Sequence, residues 1–418
     1  MGSITEGQIS EILKKINIDN DYVIESHNIQ IFSEKIGLLG DHYTLTLILR
    51  HVKTNEQVKK SYFVKCFPSI EDSATFAEGI GAFKKEIFVY DLYEKFKEHA
   101  ENLVTSCIPT LYTYSHDQYI VLENLSSNDY RTIDKMRFLE YEEVLVIVQQ
   151  LAKLHASSII YEEQKSKELE RQYSLIEEYK NELDESFFND REGFPNQCGV
   201  DASVKGVLSE IDLFDFPETL ASGKKFKEVA KPVLYKIYDL VKPSKKWKNV
   251  LSHGDLWATN FLIKYDSDKK PVDCKFVDFQ CGRYVPPAQD VISMIYLTTS
   301  RIFRQSYMYP LLGIYYNYLE KYLKAFNISI QNIIPFNDFL ESCEEQKVFA
   351  IVQAAIYFPL ILISNDFVEK YLRDGDLHKK ALFEDRTHLI LTHKDKDSIY
   401  TKRLRDSVHD LKSICEYL

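Results

Sequence analysis

Two short segments constrain this chain more than any other part of it: His253-Gly254-Asp255-Leu256-Trp257-Ala258-Thr259-Asn260 and Phe276-Val277-Asp278-Phe279-Gln280. The first sets Asp255 and Asn260 five residues apart. The second ends an apolar pair, Phe276-Val277, on Asp278. A fold that brings the two together gains three useful groups. Asp255 is a carboxylate able to accept a hydroxyl proton. Asn260 offers an amide oxygen that can turn back toward a metal, and Asp278 a hard oxygen ligand suited to Mg²⁺. Transfer of a phosphoryl group from ATP to a hydroxyl needs these parts. Either segment alone also reads as a capped turn or an ordinary strand end. Together they point to a kinase-type site with ATP and Mg²⁺ as its cofactors.

The pattern around them predicts an α+β chain, protein-kinase-like, with a small antiparallel-sheet lobe before a large, mainly helical one. Residues 4 to 17 carry Ile9, Ile12, Leu13 and Ile16 at helical spacing. Strands are expected between residues 28 and 67, with alternation over Tyr43 to Leu49, a second run over Ser61 to Phe67, and a polar turn at Lys53-Thr54-Asn55-Glu56. One helix is expected from Phe76 to Phe96 and a short strand from Tyr119 to Leu122. From residue 138 onward the pattern is helical, apart from strand-like stretches near Phe261-Ile263 and Lys275-Asp278. The lobes would divide at Glu123: residues 1–123 cover the nucleotide, and 124–418 hold the catalytic loop, the metal site and the acceptor pocket.

Lys65 stands in the middle of the apolar run Ser61 to Phe67, on the same strand face as Phe63 and Phe67. A charge there is costly unless paired. An exposed edge lysine is the plain alternative; the functional one is a lysine that contacts the α- and β-phosphates. Its partner should be an acid on the following helix. Glu86 shares a helical face with Phe83, Ile87, Tyr90 and Tyr93, whereas Lys84, Lys85 and Asp91 fall off that face. Gly37-Leu38-Leu39-Gly40 supplies two glycines before a strand, which fits a phosphate-covering loop or a plain hairpin. Ile120 to Leu125 fits a hinge whose backbone near Glu123 and Leu125 would read an adenine edge.

These residues resemble the ecdysteroid-kinase-like (CHK-kinase-like) family, related to choline kinases and aminoglycoside phosphotransferases. Its members read H-G-D-L-W-x-x-N and then D-F-Q, present here as His253 to Asn260 and Asp278-Phe279-Gln280. Gly282 to Val291 also resembles the family's segment leading into the next helix. The resemblance runs from about Gly40 to the C-terminal helices and is strongest between residues 250 and 291. It implies Asp255 as catalytic base, Asn260 and Asp278 as metal ligands, and Lys65 paired with Glu86. Gly40-Asp41-His42-Tyr43 resembles the family's G-D-N-Y with His42 in place of Asn. Asp290 reads first as a helix N-cap; the resemblance implies that it braces the catalytic loop. His253 would anchor that loop, Trp257 would pack, and His155 reads as a buried structural histidine. Gln280 stands where protein kinases carry glycine, and neither H-R-D nor A-P-E occurs, so a small-molecule substrate is expected rather than a protein.

A net charge of -11 and clustered basic residues nowhere argue against a nucleic-acid partner. Seven scattered cysteines include no C-x-x-C pair, which suggests free thiols in a reducing compartment. The first residues hold no apolar signal core, and no segment reads as a membrane insertion. A cytoplasmic monomer is expected. Aromatic residues at 307, 309, 315, 316, 318, 349, 357, 358 and 367 would wall an apolar acceptor pocket for a steroid-like or other lipophilic alcohol, as the family's name also implies. Glu341, Glu344, Glu345 and Asp366 could instead serve a quaternary amine. A choline- or aminoglycoside-type kinase, and a catalytically inactive ligand-binding protein, remain as alternatives.

Overall fold

The computed structural model describes residues 4–16, 18–32, 39–116, 118–364 and 375–417. Helix α1 (Glu6–Lys15) begins in a capping box: the Thr5 hydroxyl receives the Gln8 N–H, and the Gln8 side chain returns to the Thr5 N–H. A five-stranded antiparallel sheet follows, built from β1 (Tyr22–Ile31), β2 (Asp41–His51), β3 (Gln57–Cys66), β4 (Leu111–Ser115) and β5 (Tyr119–Glu123), in spatial order β1-β2-β3-β5-β4. Alternation on β2 turns Tyr43, Leu45, Leu47 and Leu49 to one face. Ile9, Ile12 and Ile16 close over that face as a small separate core. Each fully buried aliphatic side chain there contributes about 1.5–3 kcal/mol.

The expected strand region starts later than the real one. β1 runs from Tyr22, and its burial is too slight to leave an apolar signal in the sequence. The expected single helix from Phe76 to Phe96 is two helices, α2 (Glu71–Gly79) and α3 (Ala82–Cys107). They part at Gly81, whose φ of +63° suits a residue without a Cβ. α3 then buries Phe83, Glu86, Ile87, Tyr90 and Tyr93 on one face, as the spacing predicts. Lys85 corrects the reading that it lies off this face. It is buried, and its ammonium donates to the Glu182 and Asp184 carbonyls. Only the long-range approach of that loop makes its burial tolerable, so periodicity could not reveal it.

After β5 a 3₁₀ turn (Leu125–Asn128) leads to β6 (Tyr130–Thr132). The rest is mainly helical: α4 (Tyr141–Glu168), α5 (Leu175–Glu178), α6 (Gln197–Leu213), α7 (Phe226–Tyr235), α8 (Ile237–Leu240), α9 (Pro287–Thr298), α10 (Arg301–Lys324), α11 (Phe336–Ile361) and the helix Ser398–Cys415. Between α8 and α9 lie β7 (Val250–Ser252), β8 (Phe261–Tyr265), β9 (Pro271–Phe276) and β10 (Arg283–Val285). β6, β8 and β9 form one small sheet and β7 with β10 another. These two sheets present the loops after β7 and β9 side by side. α3 packs on α4, so one continuous core runs from the sheet's helix into the helical region. α4 is long and apolar enough to cross a membrane by length and composition, and most of it is buried in this core. All seven cysteines are unpaired.

Candidate active site

The loop after β7 is held from behind by one carboxylate. Asp290, in the first turn of α9, accepts the His253 N–H at 2.7 Å through Oδ2 and the Gly254 N–H at 2.9 Å through Oδ1. His155 of α4 faces the same Oδ2 at 3.2 Å, and its other ring nitrogen meets the Tyr315 hydroxyl at 2.6 Å. Asp290 is therefore not an N-cap. The residue before α9 is Pro286, and the Asp290 carboxylate points back to the loop. Burial works to raise its pKa, but the hydrogen bond from His155 and the neighbouring His253 hold it below the usual carboxylate range. His155 is a structural histidine, with partners far away in sequence.

Gly254 has φ +80°, and a Cβ there would collide with the Cys281 carbonyl. The loop can thus pass against the Asp278 turn only at glycine. His253 bridges the two segments: Nε2 donates to the Val277 carbonyl at 2.8 Å, and Nδ1 accepts the Asp255 N–H at 3.3 Å. The bond accepted by Nδ1 requires the neutral imidazole, and burial lowers the His253 pKa in that direction. The Val277 N–H in turn donates to the Asn260 carbonyl at 3.0 Å. Phe279 is fully buried between Tyr90, Tyr93 and His253, with ring centroids 5.3, 5.3 and 4.6 Å away.

The Asn260 amide donates to the Asp255 carbonyl at 2.8 Å and to Asp255 Oδ2 at 2.9 Å. Its own oxygen meets only the Thr259 hydroxyl, at 3.2 Å. Asp255 Oδ1 is buried without a hydrogen-bond partner among the described residues. Burial, then the charge of Asp278, pushes the Asp255 carboxyl up to about 7. Such an unpartnered acceptor beside a cavity is costly in the protein alone. A hydroxyl or a cation brought there would relieve it.

Lys65 comes from β3, and Glu86 from α3. The Lys65 ammonium lies 2.6 Å from Glu86 Oε2 and 2.8 Å from Asp278 Oδ1. Burial opposes its charge, but the two carboxylates outweigh burial and hold it protonated. Burial pushes Glu86 up to about 7 against the pull of Lys65. Gln280 donates to the other Asp278 oxygen at 3.3 Å. Asp278 itself sits in the left-handed region, φ +67°. Gly40 lies against the Lys65 stem: a Cβ there would come within 3.1 Å of Lys65 Cε. Gly37, the other half of the expected phosphate loop, is outside the described residues.

Glu123 and Leu125 both line the cleft. The Glu123 side chain is engaged elsewhere, with Lys275 at 3.0 Å and the Asn128 amide at 2.7 Å. It ties the end of β5 to β9, and leaves any nucleotide contact at this point to the backbone.

One cavity of about 1030 Å³ joins all these parts. It runs from Gly40, Lys65, Glu123 and Leu125, past Asp255, Asn260 and Asp278, into a largely apolar recess. The recess is walled by Phe187, Phe188, Trp257, Tyr357, Leu360 and Phe383. Of the aromatics expected there, only Tyr357 lines it among the described residues; Phe367 lies outside them. Tyr307 and Tyr309 are exposed, Tyr315 serves His155, and the Tyr316 hydroxyl donates to the Ile334 carbonyl at 2.8 Å. Phe349 and Phe358 are core residues. The expected acids are also elsewhere. Glu341 and Glu345 face Lys246, Glu344 faces Lys347, and Asp366 is outside the described residues.

Sequence reasoning missed Arg283 and Glu185. The buried Arg283 guanidinium donates to Glu185 Oε2 at 2.9 Å and to the Gly254 carbonyl at 3.3 Å. This joins the loop after β7 to the segment that supplies Phe187 and Phe188. A single arginine in the short run Arg283-Tyr284-Val285 was the one available signal.

Among the described residues, no group of three or more His, Cys, Asp or Glu side chains could hold a metal ion. The Asn260 and Asp278 oxygens are a hard but partial donor set. That suits Mg²⁺, which is commonly completed by phosphate oxygens and water.

No match was found among curated proteins. Three solved structures are similar to the chain over nearly all of its length. The GDP and kanamycin complex of APH(2")-IIia has 10% identity and a TM-score of 0.39, covering 94% of this chain and 100% of that one. A microcompartment-associated aminopropanol kinase has 9% identity and a TM-score of 0.38, covering 98% and 97%. The GDP complex of wild-type aminoglycoside 2'-phosphotransferase-IIIa has 12% identity and a TM-score of 0.38, covering 94% of each chain. The model of the ecdysteroid kinase-like family matches residues 39–328, which include Lys65, Glu86 and the loops after β7 and β9, and the chain belongs to that family.

Proposed function

We propose that this protein is an ATP-dependent phosphotransferase acting on a hydroxyl of a lipophilic alcohol, an ecdysteroid being one compound of that kind. The observation that carries the reading is the unpartnered, buried Asp255 Oδ1 in the cavity that Lys65 and Asp278 also line. Asp255 would align the acceptor hydroxyl and take its proton late in a loose transition state. Lys65, kept in place by Glu86, would meet the α- and β-phosphates. Asn260 and Asp278 would hold Mg²⁺, which when bound neutralises charge on the phosphates. Gly40 would let the loop approach, and the backbone near Glu123 and Leu125 would take the adenine. In this reading residues 1–123 form the nucleotide-covering lobe. His253 and Asp290 keep the loop rigid and touch neither substrate. The apolar recess favours a lipophilic acceptor over a choline-type or aminoglycoside-type one, since Glu341, Glu344 and Glu345 do not line it.

The test is calorimetric titration of ATP with and without Mg²⁺ on wild type and Asp278→Ala. Wild type should bind ATP tightly only with Mg²⁺, and the variant should lose that dependence. Equal affinity in all four titrations rejects the metal assignment.

A further inference from the structure

Two buried or partly buried cations of the cavity, Lys135 and Arg386, meet no carboxylate among the described residues. Lys135 follows β6 in the loop toward α4, lines the cavity and is only partly exposed. Its ammonium has no hydrogen-bond or ion-pair partner among the described residues. The adjacent Asp134 is exposed and turns its carboxylate to the Met136 N–H at 2.9 Å instead. Burial pushes the Lys135 ammonium down to about 8, with only Asp134 pulling the other way. Arg386 lines the same cavity and is buried. It donates to the Ile356 carbonyl at 2.7 Å and to the Ala381 carbonyl at 3.3 Å, and meets no acid among the described residues. Burial lowers its pKa to about 10.

The contrast lies within the same site. Lys65 meets two carboxylates, and Arg283 meets Glu185. Partly desolvated cations are retained at a cost unless something anionic completes them. Met136, Trp257, Leu360 and Phe383 give the same cavity apolar wall, beside polar groups such as Thr132, Asn196 and Ser203. That combination fits a molecule with a hydrophobic body and one acidic group.

We propose that the acceptor alcohol is itself an anion, a lipophilic compound bearing a carboxylate or sulfonate-like group that Lys135 receives, with Arg386 a second cation on the same cavity. This rests on the phosphotransferase reading for the identity of the reaction but not for the binding chemistry, and it narrows the lipophilic alcohols of that reading to those that carry an acidic group, which a free ecdysteroid does not. A polycationic acceptor is disfavoured on the same ground.

The test uses binding alone, so that its failure is distinct from a failure of phosphoryl transfer. Two fluorescent probes differ only in one sulfonate: 8-anilinonaphthalene-1-sulfonate and the neutral N-phenyl-1-naphthylamine. Each is titrated into the full chain, with and without saturating Mg²⁺ and a non-hydrolysable ATP analogue. The wild type should bind the sulfonate about tenfold or more tighter than the neutral probe, nucleotide present or absent. Lys135→Gln, which removes no hydrogen bond of the fold, should erase most of that preference and leave the neutral probe unchanged. Lys135→Arg should keep it. Equal affinities in the wild type would overturn the proposal. So would displacement of the sulfonate by nucleotide, which would give these cations to the phosphates, and so would a Lys135→Gln variant with the preference intact.

Discussion

The Lys65 ammonium stands 2.8 Å from the Asp278 carboxylate, across 213 residues of sequence. The lysine belongs to the sheet and the acid to the loop after β9, so this contact is where the two sides of the cleft meet. It also puts a cation on the oxygen that the phosphotransferase reading assigns to Mg²⁺. Nucleotide entry would then exchange partners: the metal for Lys65 on Asp278, and phosphate for Asp278 on Lys65.

Lys65→Met removes the cation shared by two acids. Breaking a buried pair from one side costs about 3–5 kcal/mol. A clear fall in Tm is expected, together with loss of Mg·ATP affinity. Thermal melting and calorimetry check both, and an unchanged Tm contradicts the pairing described here.

Gly254→Ala should be far more harmful than its size suggests. The position combines φ +80° with close passage of the Cys281 carbonyl. Neither strain can be relieved without moving the loop from Asp290. Turnover should fall to background even in soluble, folded protein, as judged by circular dichroism; activity near wild type would show that the loop has room to spare.

Asp290→Asn leaves one oxygen to accept the two N–H groups of His253 and Gly254. The loop should loosen while the nucleotide groups stay in place. A fall in kcat of about ten- to a hundredfold is expected, in line with loss of a supporting contact. Mg·ATP affinity should barely change. A large change in affinity with kcat preserved would assign Asp290 a different task.

Glu210 on α6 is fully buried, and neither of its carboxylate oxygens has a hydrogen-bond partner among the described residues. Burial raises its pKa well above the ordinary value of 4.5. A carboxyl of this kind keeps its proton more tightly in the folded than in the unfolded chain. Its contribution to stability is full below the unfolded value and is lost as pH rises toward the folded one. Glu210→Gln should therefore raise Tm at pH 8 and lose that advantage near pH 4.5. Melting curves at the two pH values decide it, and a gain that is larger at low pH contradicts the sign.

How much of this was legible in the sequence depended on range. Lys65 and Glu86 could be read because each interrupts an apolar face, and Asp255, Asn260 and Asp278 because they stand in two short motifs whose roles the family resemblance supplies; that the two motifs meet is a tertiary fact that no local period carries. Tyr43 to Leu49 alternated as a half-buried strand must. Local pattern alone read Asp290 as a cap, because a carboxylate near a helix start looks the same in sequence whether it turns to its own helix or to a distant loop; only the resemblance implied the brace that the structure shows. Lys85, Glu185 and Arg283 gave almost nothing away, since each is explained only by a partner about a hundred residues distant. The acceptor walls failed for a related reason. Aromatic periodicity marks burial, and burial in a helical core looks the same as burial against a cavity.

The account stands most directly on Asp255→Asn. The change keeps size and the neighbourhood of Asn260, but removes the ability to accept a proton. Single-turnover phosphoryl transfer to an alcohol found active with the wild type, measured beside Mg·ATP affinity, separates the roles. The rate should fall by about two to four orders of magnitude, the range for a general acid–base group, with nucleotide affinity little changed. Turnover near wild type would contradict the assignment of Asp255 as the base, and loss of Mg·ATP binding would place it in the metal shell instead.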